Sequence, residues 1–491
     1  MLKLIESLIR YEIRQNVIKE RDYVYVRNQL FNLLRIEPTD QDISYESIGY
    51  PSDALDPILD ILEEQHILDG SKVARDLFDA KIMNVFAKLP SEIEDLFFNL
   101  YKKDSKLATD WYYNYMKALN YIRSERIEKN EFFKTSSIYG DVEITINLSK
   151  PEKDPKSILA ASKVKSLAYP KCVLCAESEG FAGNPSRDSR DQHRLIELNV
   201  NNEPWYLQYS PYTYYNEHAI VLSKEHRPMK INQKTFENLL ELCEQFNHYL
   251  FGSNADLPIV GGSILSHDHY QGGNYVFPIE KAKTLDSWKK DGITYNLKKW
   301  PLSTLVIKSK SKEALIKKAV SILDKWKNYD NADLDIKSYS DDTPHHTITP
   351  IARIEDGFYT LTLILRDNQT SDEHPLGIFH PHADKWHIKK ENIGLIEAMG
   401  LAILPARLKT EMAFVKSYLL TQKQLPDEAL KHKDFAQKIL NEHQIDKDNV
   451  DEILEQAIGE VFVSILEDSG CFKQNKEGIS AFKSFIKDEL I

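Results

Sequence analysis

A segment near the middle of the chain limits its fold and chemistry more than any other. Residues 261–273 read GGSILSHDHYQGG, with His267, His269 and Gln271 at every second position. Successive side chains of a β-strand point to opposite faces, so this spacing predicts one strand face that carries two imidazoles and one amide. The glycine pairs at both ends predict close approach of the backbone to a ligand.

The side chains on that face suit chemistry at phosphorus. Imidazole can attack phosphorus or bind a metal, because a pKa of about 6.5 leaves it largely neutral at physiological pH. The Gln271 amide can donate a hydrogen bond to a phosphoryl oxygen without supplying a proton. Two histidines on a strand can also be ordinary polar residues near a surface. The flanking glycines favour the chemical interpretation.

A second cluster lies in YPKCVLCAE at 169–177, where Cys172 and Cys175 have the spacing of a zinc-binding pair. Two thiolates fill only half of a tetrahedral site. His226, in VLSKEH, and His267 are candidates for the other two ligands. A C-x-x-C pair can equally be redox active or incidental, so these interpretations stay open at this point.

Composition excludes several classes of protein. Of 491 residues, 42% are hydrophobic and 28% charged, which is typical of a globular protein. A net charge of -12 argues against nucleic acid as a partner. The N-terminal stretch is interrupted by charges and no segment has about eighteen consecutive apolar residues, so we expect no signal peptide and no membrane span. Four cysteines are too few for a disulfide framework. We expect a cytoplasmic enzyme.

Hydrophobic periodicity predicts an α+β protein of four regions. They are an N-terminal helical region at 1–150, a first α+β half at 161–300, a second α+β half at 301–425 and a C-terminal helical region at 426–491. The elements expected within the two halves are strands at 205–212, 217–223, 259–267, 272–278 and 358–367, and helices at 235–251 and 391–408. The first half carries both clusters described above.

Several motifs in combination resemble one family. YPKCVLC, GNP at 183–185, VLSKEH and HDHYQ are similar to those of the galactose-1-phosphate uridylyltransferases, which belong to the histidine triad superfamily. The type 2 branch is indicated by NYIRSERIEKN at 120–130, EITINLSKPEKDP at 143–155 and ENIGLIEAMGLAILPARL at 391–408. The resemblance covers most of the chain. It implies two histidine-triad-like α+β halves with helical regions at both ends.

The resemblance also implies roles for residues. His269 is the histidine that would be uridylylated, and Gln271 would contact the transferred phosphate. A structural zinc would be held by Cys172, Cys175, His226 and His267. The implied partners are UDP-glucose and galactose 1-phosphate, and the implied assembly is a homodimer.

This sequence departs from the type 1 branch in ways that affect the substrate contacts. Asp268 and Tyr270 stand where type 1 has proline and glycine, and Ile264 stands where it has a phosphate-contacting serine. Ser263 or Ser266 would have to serve instead. Candidate phosphate partners, which can equally be solvated surface charges, are Arg187, Arg190 and Arg194. The second metal site of type 1 cannot be aligned with His345, His346, His380 or His382.

These inferences predict a ping-pong transfer. His269 would attack the α-phosphorus of UDP-glucose, and galactose 1-phosphate would then take the uridylyl group. One alternative is a nucleotidyl hydrolase or phosphorylase of the same superfamily, although such hydrolases generally carry a third histidine where Gln271 stands. Another is a zinc-stabilised binding module without turnover. His269 is not among the four candidate zinc ligands, and this additional histidine counts against a binding module.

Overall fold

The computed structural model describes residues 1–149, 169–262 and 264–490. The chain forms two compact units, Met1–Lys129 with Ser149–Arg227, and Asn130–Leu148 with Pro228–Ile491. This division differs from the four predicted regions because a hairpin at 131–147 pairs with a strand of the second unit and not with the helices before it. The predicted start of the first half, at Ala161, lies outside the described residues.

The first unit begins with amphipathic helices. Helix α3, Ser52–Glu64, is representative, since Leu55, Ile58, Leu59 and Leu62 are buried at helical spacing. Polar side chains fix where helices start: the Ser71 hydroxyl accepts from the Ala74 amide at 3.2 Å at the start of α4, Lys72–Asn84. The helices are α1 Leu2–Arg14, α2 Tyr23–Leu34, α3 Ser52–Glu64, α4 Lys72–Asn84, α5 Pro90–Tyr101, α6 Ser105–Ala118 and α7 Ser124–Ile127.

Three antiparallel strands complete the first unit, and aromatic residues join them to the helices. The strands are β3 Ile196–Val200, β4 Glu203–Tyr209 and β5 Ala219–Ser223. Tyr209 of β4 is fully buried and donates its hydroxyl to the Thr109 carbonyl of α6 at 3.0 Å. Its ring lies 5.1 Å from that of Tyr112 on the same helix. The strands therefore pack against the N-terminal helices.

An antiparallel sheet forms the centre of the second unit. In spatial order its strands are β7 His269–Gly273, β6 Leu250–Gly252, β13 His346–Glu355, β14 Phe358–Asp367, β10 Thr304–Ser309, β9 Ile293–Lys298 and β8 Thr284–Lys290. Two helices pack against it, α8 Gln233–Gln245 and α10 Lys312–Lys327. Two short strands, β11 Tyr339–Ser340 and β12 Thr343–Pro344, pair with each other.

A second, three-stranded sheet of this unit combines distant segments. Strands β1 Glu131–Ser137 and β2 Gly140–Asn147 form a hairpin, and β15 Leu401–Pro405 pairs with β2 in parallel. Helix α14, Val450–Asp468, packs against β1. The other helices of the unit are α9 Pro278–Lys281, α11 Leu395–Ala398, α12 Arg407–Thr421, α13 Lys433–Glu442 and α15 Lys476–Leu490. Short 3-10 helices in the two units are Glu20–Asp22, Ala176–Ser178, Ala332–Leu334, Ala383–Lys385 and Asp427–His432.

The elements confirm the α+β class, with helical regions at both ends of the chain. Three element predictions were wrong. The strand expected at 272–278 is largely absent, because β7 ends at Gly273 and α9 begins at Pro278. The described part of 259–267 turns instead of forming a strand, with a left-handed backbone at Ile259. The segment 391–408 was expected to be helical throughout, but α11 ends before Gly400, and β15 follows because pairing with β2 overrides the helical pattern. None of the helices in the described part of the chain is long and apolar enough to cross a membrane.

One glycine of α14 provides a test of this packing. A Cβ atom on Gly459 would overlap the side chain of Thr135 in β1. Helix propensity alone favours alanine over glycine by about 1 kcal/mol, but overpacking costs about 1–3 kcal/mol. We therefore expect Gly459→Ala to lower the free energy of unfolding, measured by urea denaturation. Ser464→Ala on the same helix should change it by less than about 0.5 kcal/mol, and equal values for both variants would contradict the packing.

Candidate active site

The first unit brings together two cysteines and a histidine. The Cys172 and Cys175 sulfurs are 3.5 Å apart, and the Nδ1 atom of His226 lies 3.7 Å from the first and 3.2 Å from the second. The Cys175 amide donates to the Cys172 carbonyl at 3.2 Å, and the Ser178 hydroxyl donates to the same oxygen at 3.3 Å. These bonds shape the loop so that both sulfurs point toward the imidazole.

The spacing of these three residues fits a metal better than a disulfide. Two sulfurs bound to a tetrahedral zinc lie about 3.7 Å apart, given Zn–S bonds of about 2.3 Å, whereas a disulfide requires about 2.05 Å. Burial and the adjacent Cys175 together raise the pKa of the Cys172 thiol to about 11. A divalent cation would stabilise the thiolate that burial disfavours. The three residues can therefore supply part of the ligand set of a metal ion.

His269 begins β7 in the second unit and has a defined protonation state. Its Nδ1 atom lies 2.7 Å from the carbonyl oxygen of His267, which can only accept, so Nδ1 carries the proton. Burial lowers the pKa of His269 to about 4, although the bond to His267 opposes this shift. The imidazole is therefore neutral at physiological pH, with its lone pair on Nε2. Among the described residues, none is seen to hydrogen-bond Nε2.

Strand β7 has part of the alternation that the sequence predicted, because it begins at His269 and leaves His267 outside the strand. The Tyr270 side chain is buried, and its hydroxyl accepts from the Asn238 amide of α8 at 3.1 Å, which defines the helix-covered face. His269 and Gln271 lie on the opposite face because strand side chains alternate. His267 precedes the strand at a bend and is completely buried. Gln271 is half-buried.

The flanking glycines have a different role from the predicted one. A Cβ on Gly272 would overlap the Phe251 ring, and one on Gly262 would overlap the Asn254 side chain. A Cβ on Gly261 would meet the carbonyl oxygens of Ala255 and Leu257. These three glycines are required by close packing of the chain against itself, so the interpretation that they admit a ligand was wrong.

The structure separates the three candidate arginines. Arg194 is buried, and its guanidinium donates to the carbonyls of Lys88, Asp191 and His193 and to the Asn84 side chain, so it is structural. Arg187 is half-buried and donates to the Pro170 carbonyl. Arg190 lines a cavity of about 260 Å³ in the first unit. Ser266 is exposed, and Ser263 lies outside the described residues.

That cavity contains residues that the sequence did not identify as functional, including Tyr121, Arg123, Gln192 and Tyr212. They come from separate segments of the chain. Tyr121 and Arg123 fall in NYIRSERIEKN, which contributed only to the family resemblance. No local sequence pattern could have predicted this group of cavity residues, because only the fold brings them together.

Four histidines of the second unit have protein partners. His346 is bonded through Nδ1 to the Trp326 carbonyl at 2.6 Å and through Nε2 to Asp367 at 3.1 Å. The other three are likewise hydrogen-bonded within the unit: His345, His380 and His382. In residues 1–149, 169–262 and 264–490, no metal-ligand cluster contains any of these four. They are structural histidines in this chain.

Comparison with known proteins assigns the chain to a family. The models for the N-terminal and C-terminal domains of galactose-1-phosphate uridyl transferase match residues 18–228 and 241–437. The galactose-1-phosphate uridylyltransferases of Fusobacterium nucleatum and Clostridium acetobutylicum are both 47% identical to the chain, and each alignment covers 98% of both proteins. That of Clostridium perfringens strain 13 is 45% identical with the same coverage. The chain belongs to the galactose-1-phosphate uridylyltransferase family.

The family's two domain models divide the chain between residues 228 and 241. Among solved structures, yeast Ap4A phosphorylase Apa2 is 11% identical, with a TM-score of 0.33 over 61% of this chain and 93% of that one. A superposition this loose carries no weight for the fold.

The cysteine cluster predicts the metal content of this family member. We expect elemental analysis to find about one zinc per chain, the stoichiometry of one four-ligand site. Cys172→Ser should lose the zinc and melt at a lower temperature, because binding of a structural metal is coupled to folding. Cys243→Ala removes a buried thiol outside the cluster, so it should lower stability while keeping the zinc. Full zinc content in Cys172→Ser would contradict the assignment.

Proposed function

We propose that this chain is a uridylyltransferase that converts UDP-glucose and galactose 1-phosphate into glucose 1-phosphate and UDP-galactose. Family models and relatives that match over almost the entire chain support this activity. The observation that carries the mechanism is the neutral imidazole of His269, whose Nδ1 proton is held by the His267 carbonyl. That bond leaves the Nε2 lone pair for attack.

The reaction proceeds through two displacements at one phosphorus atom. Nε2 of His269 forms a bond to the α-phosphorus of UDP-glucose, and the bond from that phosphorus to the oxygen of glucose 1-phosphate breaks. A phosphate oxygen of galactose 1-phosphate then attacks the uridylyl-histidine, and the N–P bond breaks to release UDP-galactose. The imidazole returns to its neutral form after the second step. Because the transfer is split into two displacements, one phosphate-binding site can serve both half-reactions.

Neither displacement needs a proton donor. The group that leaves in the first step and the group that attacks in the second are both phosphate oxygens, which are stable as anions at neutral pH. A carboxamide can donate a hydrogen bond to the phosphoryl group without protonating it. Gln271 lies on the same strand face as His269, which supports it as the phosphate contact. An amide at this position favours transfer over hydrolysis. Hydrolysis requires a proton to be exchanged with water or with the leaving group, and an amide does not provide for this.

We extend the zinc assignment to His267 as the fourth ligand. A structural zinc site is almost always four-coordinate, and Cys172, Cys175 and His226 supply three ligands. His267 is completely buried, and imidazole nitrogen is a common zinc ligand. Bound zinc would supply a structural crosslink that fixes the backbone of each ligand. His267 also provides the carbonyl that orients His269, so the metal would act on the nucleophile through its backbone.

The remaining predictions concern substrates and assembly. Arg190 is supported as a substrate contact because it lines a cavity, whereas Arg187 is less available since its guanidinium is bonded to the Pro170 carbonyl. Ser263 and Ser266 remain candidates for a phosphate contact. The homodimer and the cytoplasmic location likewise remain predictions.

The nucleophile can be tested by removing its imidazole. His269→Gly should lose overall transfer and form no labelled adduct with radiolabelled UDP-glucose, while the wild type should release about one glucose 1-phosphate per site without acceptor. Free imidazole should restore part of the cleavage in this variant. His267→Gly should not be rescued in the same way, because we assign it to the metal. A label that maps to His267, or ordinary turnover by His269→Gly, would show that the nucleophile is misassigned.

The third position of the motif can be tested separately. Replacing the amide in Gln271→His places an acid-base group beside the phosphate, so hydrolysis of the intermediate should rise relative to transfer. The measurement is the ratio of UMP to UDP-galactose formed from UDP-glucose at fixed galactose 1-phosphate. Gln271→Asn, which keeps an amide, should retain the low ratio of the wild type. Identical ratios in all three proteins would remove Gln271 from the mechanism.

A further inference from the structure

A cavity of about 730 Å³ lies in the second unit. Its walls come from helices α13 and α14, from strand β1 and from residues 384–387. The volume falls within the range of ligand pockets, about 300–1,000 Å³. None of the described residues that line it is one to which we assign the nucleophile, the phosphate contact or the zinc. The cavity is therefore separate from the residues of the proposed transfer.

Three side chains from separate segments form a hydrogen-bonded chain that ends at this cavity. Nε2 of His432 lies 2.8 Å from the Glu411 carboxylate, and Nδ1 of His432 lies 2.9 Å from Nδ1 of His387. Lys431 and Arg407 also donate to Glu411. Burial alone would raise the pKa of Glu411, but the bonds from Lys431 and His432 bring it below its usual value. Glu411 is therefore ionised and can only accept.

The ionised carboxylate determines which nitrogen of each imidazole carries a proton. Burial lowers the pKa of both rings, to about 4 for His387, so both are neutral at physiological pH. His432 donates to Glu411 from Nε2, which leaves a lone pair on its Nδ1. The proton between the two Nδ1 atoms must then belong to His387. His387 therefore has its lone pair on Nε2.

That lone pair is directed toward the cavity. His432 is fully buried, whereas His387 is half-buried and lines the cavity. Nε2 lies on the side of the His387 ring opposite the bond to His432, and no hydrogen bond to it occurs within the described residues. The bond at one ring nitrogen thus fixes the other as an acceptor. A ligand with an N–H or O–H group would complete the chain.

The charges around the cavity favour a cation. Its four lysines each lie within 4.0 Å of a carboxylate oxygen: Lys134, Lys385, Lys431 and Lys438. Four acidic residues of the lining have no basic group within that distance in the described part of the chain: Asp434, Glu452, Glu455 and Glu460. Burial raises the pKa of Glu455, and nearby carboxylates, including that of Glu452, add to the shift. A bound cation would relieve this repulsion.

The lining also contains an apolar stripe. Ile453, Ala457 and Val461 follow one another at four-residue spacing along α14, and Phe435 of α13 lines the same cavity. The Phe435 ring lies 5.2 Å from the His387 ring between centroids. Such a surface favours contact with methylene groups, because burial of apolar area is favourable. The cavity thus combines an acceptor nitrogen, carboxylates and an apolar stripe.

An organic amine fits this combination better than a metal ion does. In residues 1–149, 169–262 and 264–490, no group of three metal-ligand atoms includes one from His387. A quaternary ammonium would satisfy the carboxylates but has no N–H for Nε2 of His387. A primary or secondary ammonium on an alkyl chain satisfies the nitrogen, the carboxylates and the apolar stripe together.

We propose that this cavity binds an aliphatic polyamine, with one ammonium group donating to Nε2 of His387 and with its methylene groups against Ile453 and Ala457. Further ammonium groups lie near the carboxylates of the lining. Glu411 and His432 are positioning residues, because they act on the ligand only through the tautomer of His387. The site is a second ligand site, and it does not depend on the proposed transfer.

The test measures binding of spermidine to the full-length protein by calorimetry at neutral pH. His387→Asn keeps an N–H near the position of Nδ1 and has no acceptor at the position of Nε2, so it should weaken spermidine about tenfold or more. His387→Gln can place its amide oxygen near the position of Nε2, so it should retain part of the affinity. The matched control is His66→Asn, an exposed histidine of the first unit, which should bind spermidine as the wild type does.

A pair of probes separates the hydrogen bond from the charge. Hexamethylenediamine and hexamethonium have the same alkyl chain and the same charge, but only the diamine has N–H groups. The wild type should bind the diamine more tightly, and His387→Asn should bind both equally weakly. Glu452→Gln should weaken both probes to the same extent, because it removes charge alone. Equal affinity of the wild type for the two probes would overturn the inference.

Melting temperatures give a readout that does not depend on the stability of each ligand-free variant. Spermidine should raise the melting temperature of the wild type and of His387→Gln more than that of His387→Asn, because a ligand stabilises in proportion to its affinity. An equal rise in all three proteins would contradict the role of His387. Spermidine that fails to bind the wild type would overturn the site itself.

Discussion

The hydrogen bond from Nδ1 of His269 to the carbonyl of His267, 2.7 Å long, determines what the His269 face of β7 can do. It selects the tautomer in which Nε2 carries the lone pair, and it orients the ring on the strand. The bond forms because the chain bends at His267, just before the strand begins. This bend brings the His267 carbonyl within reach of the His269 imidazole. The proposed nucleophile, its phosphate contact and the proposed metal ligand therefore share five residues of backbone.

The sequence predicted part of this arrangement and missed part of it for physical reasons. Period-two spacing correctly placed His269 and Gln271 opposite Tyr270, because alternation follows from strand geometry alone. It could not predict the bend, so it extended a strand through 259–267. The glycines were misinterpreted for a related reason. Close approach to a ligand and close approach to Phe251 or Asn254 require the same missing Cβ, and only the fold distinguishes them.

Charged residues illustrate a second limit of the sequence. Arg187, Arg190 and Arg194 lie within one loop and are indistinguishable by pattern, yet their surroundings differ. Arg194 is buried with four acceptors, whereas Arg190 lines a cavity together with Asp188. Whether a guanidinium is available to a ligand depends on hydrogen-bond acceptors from other segments, such as the Lys88 carbonyl and the Asn84 side chain for Arg194. Those contacts are set by tertiary structure, which no local motif encodes.

The histidines of this chain also differ in how many of their ring nitrogens form hydrogen bonds within the protein. His346 uses both ring nitrogens within the protein and stacks on Trp326 at 4.0 Å, so neither nitrogen is available to a ligand. His269 has one nitrogen bonded to the backbone, which leaves one nitrogen for chemistry. His193 has neither nitrogen bonded among the described residues, and burial keeps its pKa well below the usual value, so it serves as a neutral ring against Tyr121. Identical side chains thus become structural, reactive or packing groups according to how many of their nitrogens the fold engages.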